Sequence, residues 1–440
     1  MYYKSILQIL KDPSSNENTR LKIIDEAIND DKHICYLYLQ PDDKYKCPIC
    51  NSNETTLFGK KSRTFIDECY ANHKTYVVIT YHRIKCKQCG KIFMDTIKEL
   101  LSKQSISLNL KLNILLDLKD DVTFTYIAKK RNVSIQTVID IFESFIDMER
   151  IPFSDVLCLD EFKNLKHSFG KFAFVMYDPI NQKIYDILED RKQDLIDNYL
   201  YKIPLNERQK VKYVVTDMNN SYRTVIKRHF SNATHVIDSF HYLRYIEDAF
   251  NNVRIRIQST FKQNTPQYKI LKRYWRILSS FQMTLDEKSL YNHIQKKKTD
   301  INTIIQDSLA ISKELDNAYT LCQHFLYGCK NTKFENAKQW LDSWVNEIKE
   351  SGISEFLNLI KLFKNWEIEI INSFIRFGDR RLHNGYLEGL NNRIKVIKRI
   401  SYGYTNFTHF RNRLMYSINA IEELPIKSVN RNNIFRKKRK

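Results

Sequence analysis

No apolar run in this chain approaches the ~20 residues that a membrane-spanning helix needs. The start, Met1-Tyr2-Tyr3-Lys4, lacks the apolar core and cleavage site of a secretory leader, so a cytoplasmic chain without a membrane partner is expected. Acids are short as well: 51 Asp and Glu face 71 Lys and Arg, leaving a net charge of +20. The shortage is uneven, because residues 391–440 hold thirteen cations against two acids. Such asymmetry predicts polyanion binding through counterion release. A hydrophobic content of 42% over 440 residues excludes a disordered chain and predicts two to four domains.

Nine cysteines is an odd count, and four of them form the pairs Cys47-Pro48-Ile49-Cys50 and Cys86-Lys87-Gln88-Cys89. In a reducing compartment two C-x-x-C pairs point to metal rather than disulfides. Each pair sits on a tight turn whose sulfurs reach one ion, and the strand-like stretch from Thr75 to Ile84 brings the pairs together. A structural zinc ribbon over 41–98, with Cys47, Cys50, Cys86 and Cys89 as ligands, is therefore expected. Cys35, Cys69, Cys158, Cys322 and Cys329 lack ligand spacing and read as small buried hydrophobes.

Residues 1–40 suggest a helical lead, with Ile6, Leu7, Ile9 and Leu10 ahead of Asp12-Pro13 and a periodic stretch from Leu21 to Ile28. Over 99–150 the segment Phe124 to Phe142 reads as a helix-turn-helix, with Asn132-Val133 as its turn and Ser134 capping a second helix whose buried stripe is Val138, Ile141 and Phe142. Gln136 and Thr137 would then meet base edges, and Lys129, Lys130 and Arg131 the DNA backbone. An ordinary αα-hairpin is the plainer alternative.

From Asp155 the pattern becomes short apolar runs: 156–159, 172–177, 184–188, 211–215 and 236–237, the later ones separated by helical stretches. Three strands followed by helix, strand, helix and strand predict a ribonuclease-H-like α/β core over 151–241. Asp160 and Asp217 end the first and fourth runs, so neighbouring strands would place both carboxylates at one edge, with a cation to relieve their burial. Strand signals vanish over 242–372, which holds all four tryptophans and reads as an all-helical insertion. The core resumes over 373–425 and a basic tail follows over 426–440. Here Glu388, Asn392, Lys395 and Arg399 share one face of a helix, while Leu390, Ile394 and Ile397 share another. A carboxylate opening such a basic helix, with Lys398 beside Arg399, suggests a metal site acting on DNA phosphates. Glu161, Asp178, Asp186 and Asp238 are rival acids, and Asp238 with His241 is placed behind the ligands.

These residues resemble the DDE-type insertion-sequence transposases of the ISL-three group. The likeness shows in Leu159-Asp160-Glu161-Phe162, Tyr177-Asp178, Ile187 to Arg191, Thr216-Asp217-Met218-Asn219 with Tyr222, Asp238-Ser239-Phe240-His241, and Asn384 to Phe410. It implies an acidic triad of Asp160, Asp217 and Glu388 holding two Mg2+ or Mn2+ ions about 3.5–4 Å apart for DNA cleavage and strand transfer. It also implies recognition of terminal inverted repeats, target DNA as second partner, a homodimer or larger assembly, and a nucleoid-associated protein. A DNA-binding regulator without catalysis, and a metal-dependent nuclease without strand transfer, are the rival readings.

Overall fold

The computed structural model describes residues 20–29, 32–70, 73–95, 105–282, 285, 289–400 and 406–419. The chain divides into two compact units: the described parts of Met1–Arg150, Leu165–Ser168 and Asn392–Lys440 form one, and Ile151–Asn164 with Phe169–Asn391 the other.

The first unit is built on a sheet of β1 (Leu21–Asn29), β2 (Lys32–Leu39), β3 (Thr55–Tyr70), β4 (His73–Cys86) and β5 (Ile92–Met94). Its order is β1-β2-β4-β3, with β5 also on β4; only β2 and β4 run parallel. Period-two alternation explains the arrangement, because Cys35, Leu37 and Leu39 on β2 and Val77, Ile79 and Tyr81 on β4 bury one face against Leu21 and Phe65. The helical lead expected over 1–40 is thus corrected from Leu21 onward, and residues 1–19 lie outside the described residues. Helical spacing in Leu21 to Ile28 lost to β-branched Ile23, Ile24 and Ile28 and to the ladder that β2 offers. The cysteine pairs therefore belong to a sheet that begins well before residue 41.

Three helices follow: α1 (Leu108–Asp117), α2 (Phe124–Lys130) and α3 (Ile135–Phe145). Ser107, Thr123 and Ser134 cap them by accepting the N–H groups of Leu110, Tyr126 and Thr137. Asn132, at φ 53°, makes the turn between α2 and α3, and Val138, Ile141 and Phe142 are buried.

The second unit holds a sheet of β6 (Val156–Lys163), β7 (Phe172–Asp178), β8 (Lys183–Leu188), β9 (Tyr213–Thr216) and β10 (Thr234–Ile237), in the order β10-β9-β6-β7-β8. Strands β10, β9 and β6 are parallel, and β7 and β8 antiparallel to their neighbours. Helices α4 (Gln193–Tyr201), α5 (Leu205–Arg208) and α6 (Asn220–His229) fill the crossovers. Leu157, Leu159, Phe174, Val214, Tyr222 and Val225 form the core beneath one face.

A mainly helical region comprises α7 (Ser239–Ser259), α8 (Pro266–Arg273), α9 (Trp275–Ser279), α10 (Ile301–Leu309), α11 (Lys313–Asn331), α12 (Ala337–Ser351), α13 (Ser354–Asn365) and α14 (Glu367–Asn372). Its core holds Trp344 and Trp366, whereas Trp275 is partly exposed. The expectation of an all-helical segment is corrected by the hairpin β11 (Ser289–Asn292) and β12 (Lys297–Asp300). Asn292 Oδ1 accepts the N–H groups of Ile294 and Gln295, a side-chain turn that substitutes for the missing Gly or Pro signal. The ribbon β13 (Arg376–Phe377) and β14 (Arg380–Arg381) leads back to α15 (Gly385–Ile400).

The division between units falls inside α15, and α16 (Phe407–Ile418) belongs to the first unit. There the buried Arg413 guanidinium donates to the carbonyls of Leu118, Asp120 and Val122, and Tyr416 to that of Leu115. The bonds to Leu115 and Leu118 satisfy carbonyls at the end of α1, and those to Asp120 and Val122 hold the loop that follows it. The segment 373–425, expected to complete the core, is therefore shared between the units, and residues 420–440 with the basic tail lie outside the described residues.

Candidate active site and metal centre

In the first unit the two cysteine pairs are built alike. The N–H of Cys47 donates to the carbonyl of Ser52 and that of Cys86 to Lys91, while Asn51 and Gly90 donate back to the carbonyls of Cys47 and Cys86. Asn51 and Gly90 each take a positive φ, which lets the chain turn tightly enough to aim both sulfurs of a pair inward. The Sγ atoms of Cys47 and Cys89 lie 3.5 Å apart and those of Cys50 and Cys86 3.6 Å, with all four within 4.8 Å of one another. Tetrahedral zinc at about 2.3 Å from each sulfur separates them by about 3.8 Å, so the set fits. Turn amides favour two of the thiolates: the N–H of Cys50, then that of Ile49, helps pull Cys47 down to about 6, and the N–H of Cys89 leads in lowering Cys86, whereas against the N–H of Ser52 burial and the neighbouring sulfurs push Cys50 up to about 12.

In the second unit, register decides where the aspartates go. Strands β6 and β9 pair Val156 with Tyr213, Leu157 with Val214 and Cys158 with Val215. Carried two residues on, that register sets Asp160 level with Asp217. Strand β10 pairs Ile237 with Thr216, so Asp238 continues the row. Asp160 and Asp217 feel each other: burial and then the charges of Asp160 and Glu161 push Asp217 up to about 6, against His241 and Arg191. Burial likewise raises Asp160, although the N–H of Glu161 and the Asn391 amide favour its charged form.

Helix α15 is tied to this row at two points. The Asn391 amide donates to Asp160 Oδ2 at 3.0 Å, and the N–H of Asn384, just before the helix, donates to Asp238 Oδ1 at 3.3 Å. Glu388 lies one turn before Asn391 and is exposed. The carboxylates of Asp160, Asp217 and Glu388 are not gathered within 4.8 Å as the four sulfurs are. Three oxygens around the row are buried with no hydrogen-bond partner: Asp217 Oδ1, Asn384 Oδ1 and Asn391 Oδ1. Orphaned acceptors of this kind are costly, and an all-oxygen set suits a hard cation.

The rival acids have other work. Asp178 accepts from Ser154, Tyr185 and the amides of Ile180 and Asn181; against the cost of burial these bonds hold it below the usual carboxylate range. Asp186 accepts from Tyr199. Glu161 pairs with Arg191 and accepts from Tyr222 at 3.4 Å. His241 is half-buried at the start of α7.

Among residues expected to meet DNA, Gln136 and Lys129 are exposed and Thr137 half-buried; Gln136 donates to Asp140 at 2.8 Å. Arg131 is corrected: it is buried, bonded to Asp117 at 2.6 Å and Glu68 at 2.9 Å, where it braces α1 and α2 against the sheet. Lys130 also bonds Asp117, at 2.7 Å. Asn392, Lys395 and Arg399 are exposed, Lys398 is half-buried, and Leu390, Ile394 and Ile397 are buried. Asn391 was not singled out from sequence, although its place three residues after Glu388 on a helix is the signal that marks it.

Among the described residues no helix is long and apolar enough to cross a membrane. Residues 157–414 match a family model described as transposase, that of the DDE-type ISL-three group. Over 391 residues the chain is 22% identical to the transposase for insertion sequence element IS1001 of Bordetella parapertussis, covering 85% of this chain and 89% of that protein. A 112-residue stretch is 31% identical to a Lactococcus lactis subsp. lactis protein named as an ATP-dependent protease, covering 26% of this chain and 33% of that one, too little to carry a family. The chain belongs to the ISL-three family of transposases.

Proposed function

We propose that this chain is the transposase of an insertion sequence, which binds the element's terminal inverted repeats and, with divalent metal, cleaves and joins DNA. The observation that carries the reading is the β6–β9 register, which continued two residues sets Asp160 level with Asp217, together with an orphaned Asp217 Oδ1 and Asn391 of the Glu388 helix bonded to Asp160. The strand order β10-β9-β6-β7-β8 supports a ribonuclease-H-like core.

Asp160, Asp217 and Glu388 are assigned as ligands of two Mg2+ or Mn2+ ions. Bound there, the metal supplies Lewis-acid activation of water or a 3′-hydroxyl and charge neutralisation at the departing oxygen. Asn391 fixes Asp160 in one rotamer, and Asp238 anchors the start of α15, the helix that carries Glu388. His241 and Arg191 favour ionised Asp217, the form a metal needs. Gln136 and Thr137 on α3, with Lys129, are assigned to the repeats, and Asn392, Lys395, Lys398 and Arg399 to phosphates. Zinc on Cys47, Cys50, Cys86 and Cys89 has a closed coordination shell and is structural. Pairing two element ends calls for a homodimer or larger assembly.

The test uses D160N, D217N and E388Q with labelled element-end duplex and magnesium. Each variant keeps end binding and loses cleavage by about 10³-fold or more. Full cleavage by E388Q removes Glu388 from the site, and full cleavage by all three overturns the reading. Pre-nicked ends incubated with target DNA yield joined products, which a simple nuclease does not make.

A further inference from the structure

The ribbon β13–β14 carries an unusual pairing. Its register sets Arg376 opposite Arg381 and Phe377 opposite Arg380, closed by Gly378 at φ +60°. Like charges directly opposite on a two-stranded ribbon are destabilising. Nor are Arg376 and Arg381 matched by carboxylates: Arg376 donates to the carbonyl of Asp379 at 2.8 Å, and Arg381 to the carbonyls of Cys329 and Ser373. Carbonyl bonds orient a guanidinium and leave its charge uncancelled. Arg381 also stacks on Phe374 at 4.1 Å, and its Nη2 is buried without a partner.

Open grooves flank this ribbon on both sides. One, of about 920 Å³, is lined by Lys330 and Lys333 at the end of α11 together with Arg376 and Arg381, against one acid, Glu335. Exposed Phe334 and half-buried Tyr213 lie in the same wall. The other, of about 390 Å³, runs from Phe377 through Arg380 and Arg381 to His383, against one acid, Asp379. His383 adjoins Asn384, whose N–H is held by Asp238 at the carboxylate row. A cationic track therefore leads from Lys330 to the start of the Glu388 helix, all within the second unit.

We propose that this track binds the sugar–phosphate backbone of duplex DNA and positions it for the carboxylate row, with Lys330, Lys333, Arg376 and Arg380 as phosphate contacts. The inference rests on the reading of the chain as a DNA-processing enzyme and adds a surface separate from α3 and the basic face of α15. Exposed cations spaced along a groove, with aromatic faces between them, suit a phosphate backbone and not a small anion, which would call for one converging pocket.

The test compares full-length protein with K330Q/K333Q/R376Q/R380Q and with the charge-retaining R376K/R380K, each checked for an unchanged thermal transition. Binding to a fluorescent duplex of unrelated sequence is measured against salt. Each lost phosphate contact lowers the slope of log K against log salt by about 0.9, so the quadruple variant loses about 3 to 4 from it, while R376K/R380K keeps the full slope. Cleavage of pre-bound element ends falls in parallel. Wild-type slope in the quadruple variant overturns the track, and so does a loss seen with RNA duplex but not DNA. A wild-type protein that binds duplex DNA no better than an uncharged control overturns the DNA-processing reading itself, and the track with it.

Discussion

The cysteine cluster of the first unit and the carboxylate row of the second are assembled in opposite ways. Four sulfurs are delivered by two short turns of identical hydrogen bonding, so each half of the ligand set is fixed within five residues of sequence. The carboxylates come from two strand ends and one distant helix, and only a sheet register and two side-chain tethers relate them. A local device holds its ligands whether or not the rest of the protein is perfect. A dispersed one depends on every element between its parts. Burial separates them further: turn amides stabilise the thiolates Cys47 and Cys86, whereas Asp160 and Asp217 sit where burial disfavours their charge.

The largest expected effect breaks the local site. On the reading of the four sulfurs as a zinc site, chelation or C86S takes away binding that contributes on the order of 10 kcal/mol to folding a small module. The sheet of the first unit then melts, while the second unit keeps its own thermal transition. Calorimetry of the full chain with and without chelator reads this as the loss of one of two transitions, and an unchanged first transition would show that the sheet core of Leu37, Phe65, Val77 and Ile79 suffices alone.

A second break targets what supports the dispersed site. Arg223 on α6 bonds Glu369 on α14 at 2.7 Å, donates to the Asn365 carbonyl and stacks on Trp366 at 3.7 Å, joining the sheet's crossover helix to the end of the helical region. Arg223→Ala leaves the buried Glu369 with His235 as its remaining cationic neighbour and costs about 3 kcal/mol, measured by urea unfolding of the second unit's transition. Cleavage falls with the folded fraction and no further, because the hydrogen bonds of Arg223 go to Glu369 and Asn365 and not to Asp160, Asp217 or Glu388.

How much of this was legible differs between the sites for the same reason. C-x-x-C spacing states its geometry in the sequence, so Cys47, Cys50, Cys86 and Cys89 are found without a fold. Apolar runs ending in Asp160 and Asp217 give the strands, and helical spacing gives α15 and sets Asn391 one turn from Glu388, yet spacing alone does not say which of two neighbouring asparagines faces Asp160. Asn391 does, whereas its neighbour Asn392 is exposed. Leu21 to Ile28 satisfied a helical period while belonging to an edge strand, since strand pairing is decided by a partner outside the window. Arg131 followed two lysines and read as a surface cation. Asp117 and Glu68, which bury it, lie 14 and 63 residues away.

Asn391→Ala sharpens the comparison at a single bond. It leaves Asp160 its charge and its strand but frees its rotamer and loosens α15, so cleavage falls about tenfold to a hundredfold with end binding unchanged. An effect as large as that of D160N would instead make Asn391 a direct contact of metal or substrate.

The last effect is a pH dependence of the carboxylate row, opposite in sign to that of the lowered thiols Cys47 and Cys86. The Asp217 carboxyl, raised to about 6 chiefly by burial, binds its proton more tightly in the folded protein than in the unfolded chain, where the ordinary value is about 3.9. Its contribution to stability is therefore full below about pH 4 and is lost as pH rises to about 6, with a ceiling of about 3 kcal/mol in metal-free protein that solvent screening of the partly exposed carboxyl lowers. Glu369 has the opposite sign: against the cost of burial, His235 and Arg223 hold it down to about 2, so its contribution is present above about pH 4.3 and disappears only as pH falls toward 2. The two windows do not overlap. Urea unfolding of wild type and D217N between pH 4 and 8 separates them, with the wild-type advantage shrinking up to about pH 6 and constant beyond it. Magnesium competes with that same proton, so its stabilisation of the wild type grows over the interval in which the metal-free protein weakens. A magnesium effect that ignores pH across this range would place the ion away from Asp217.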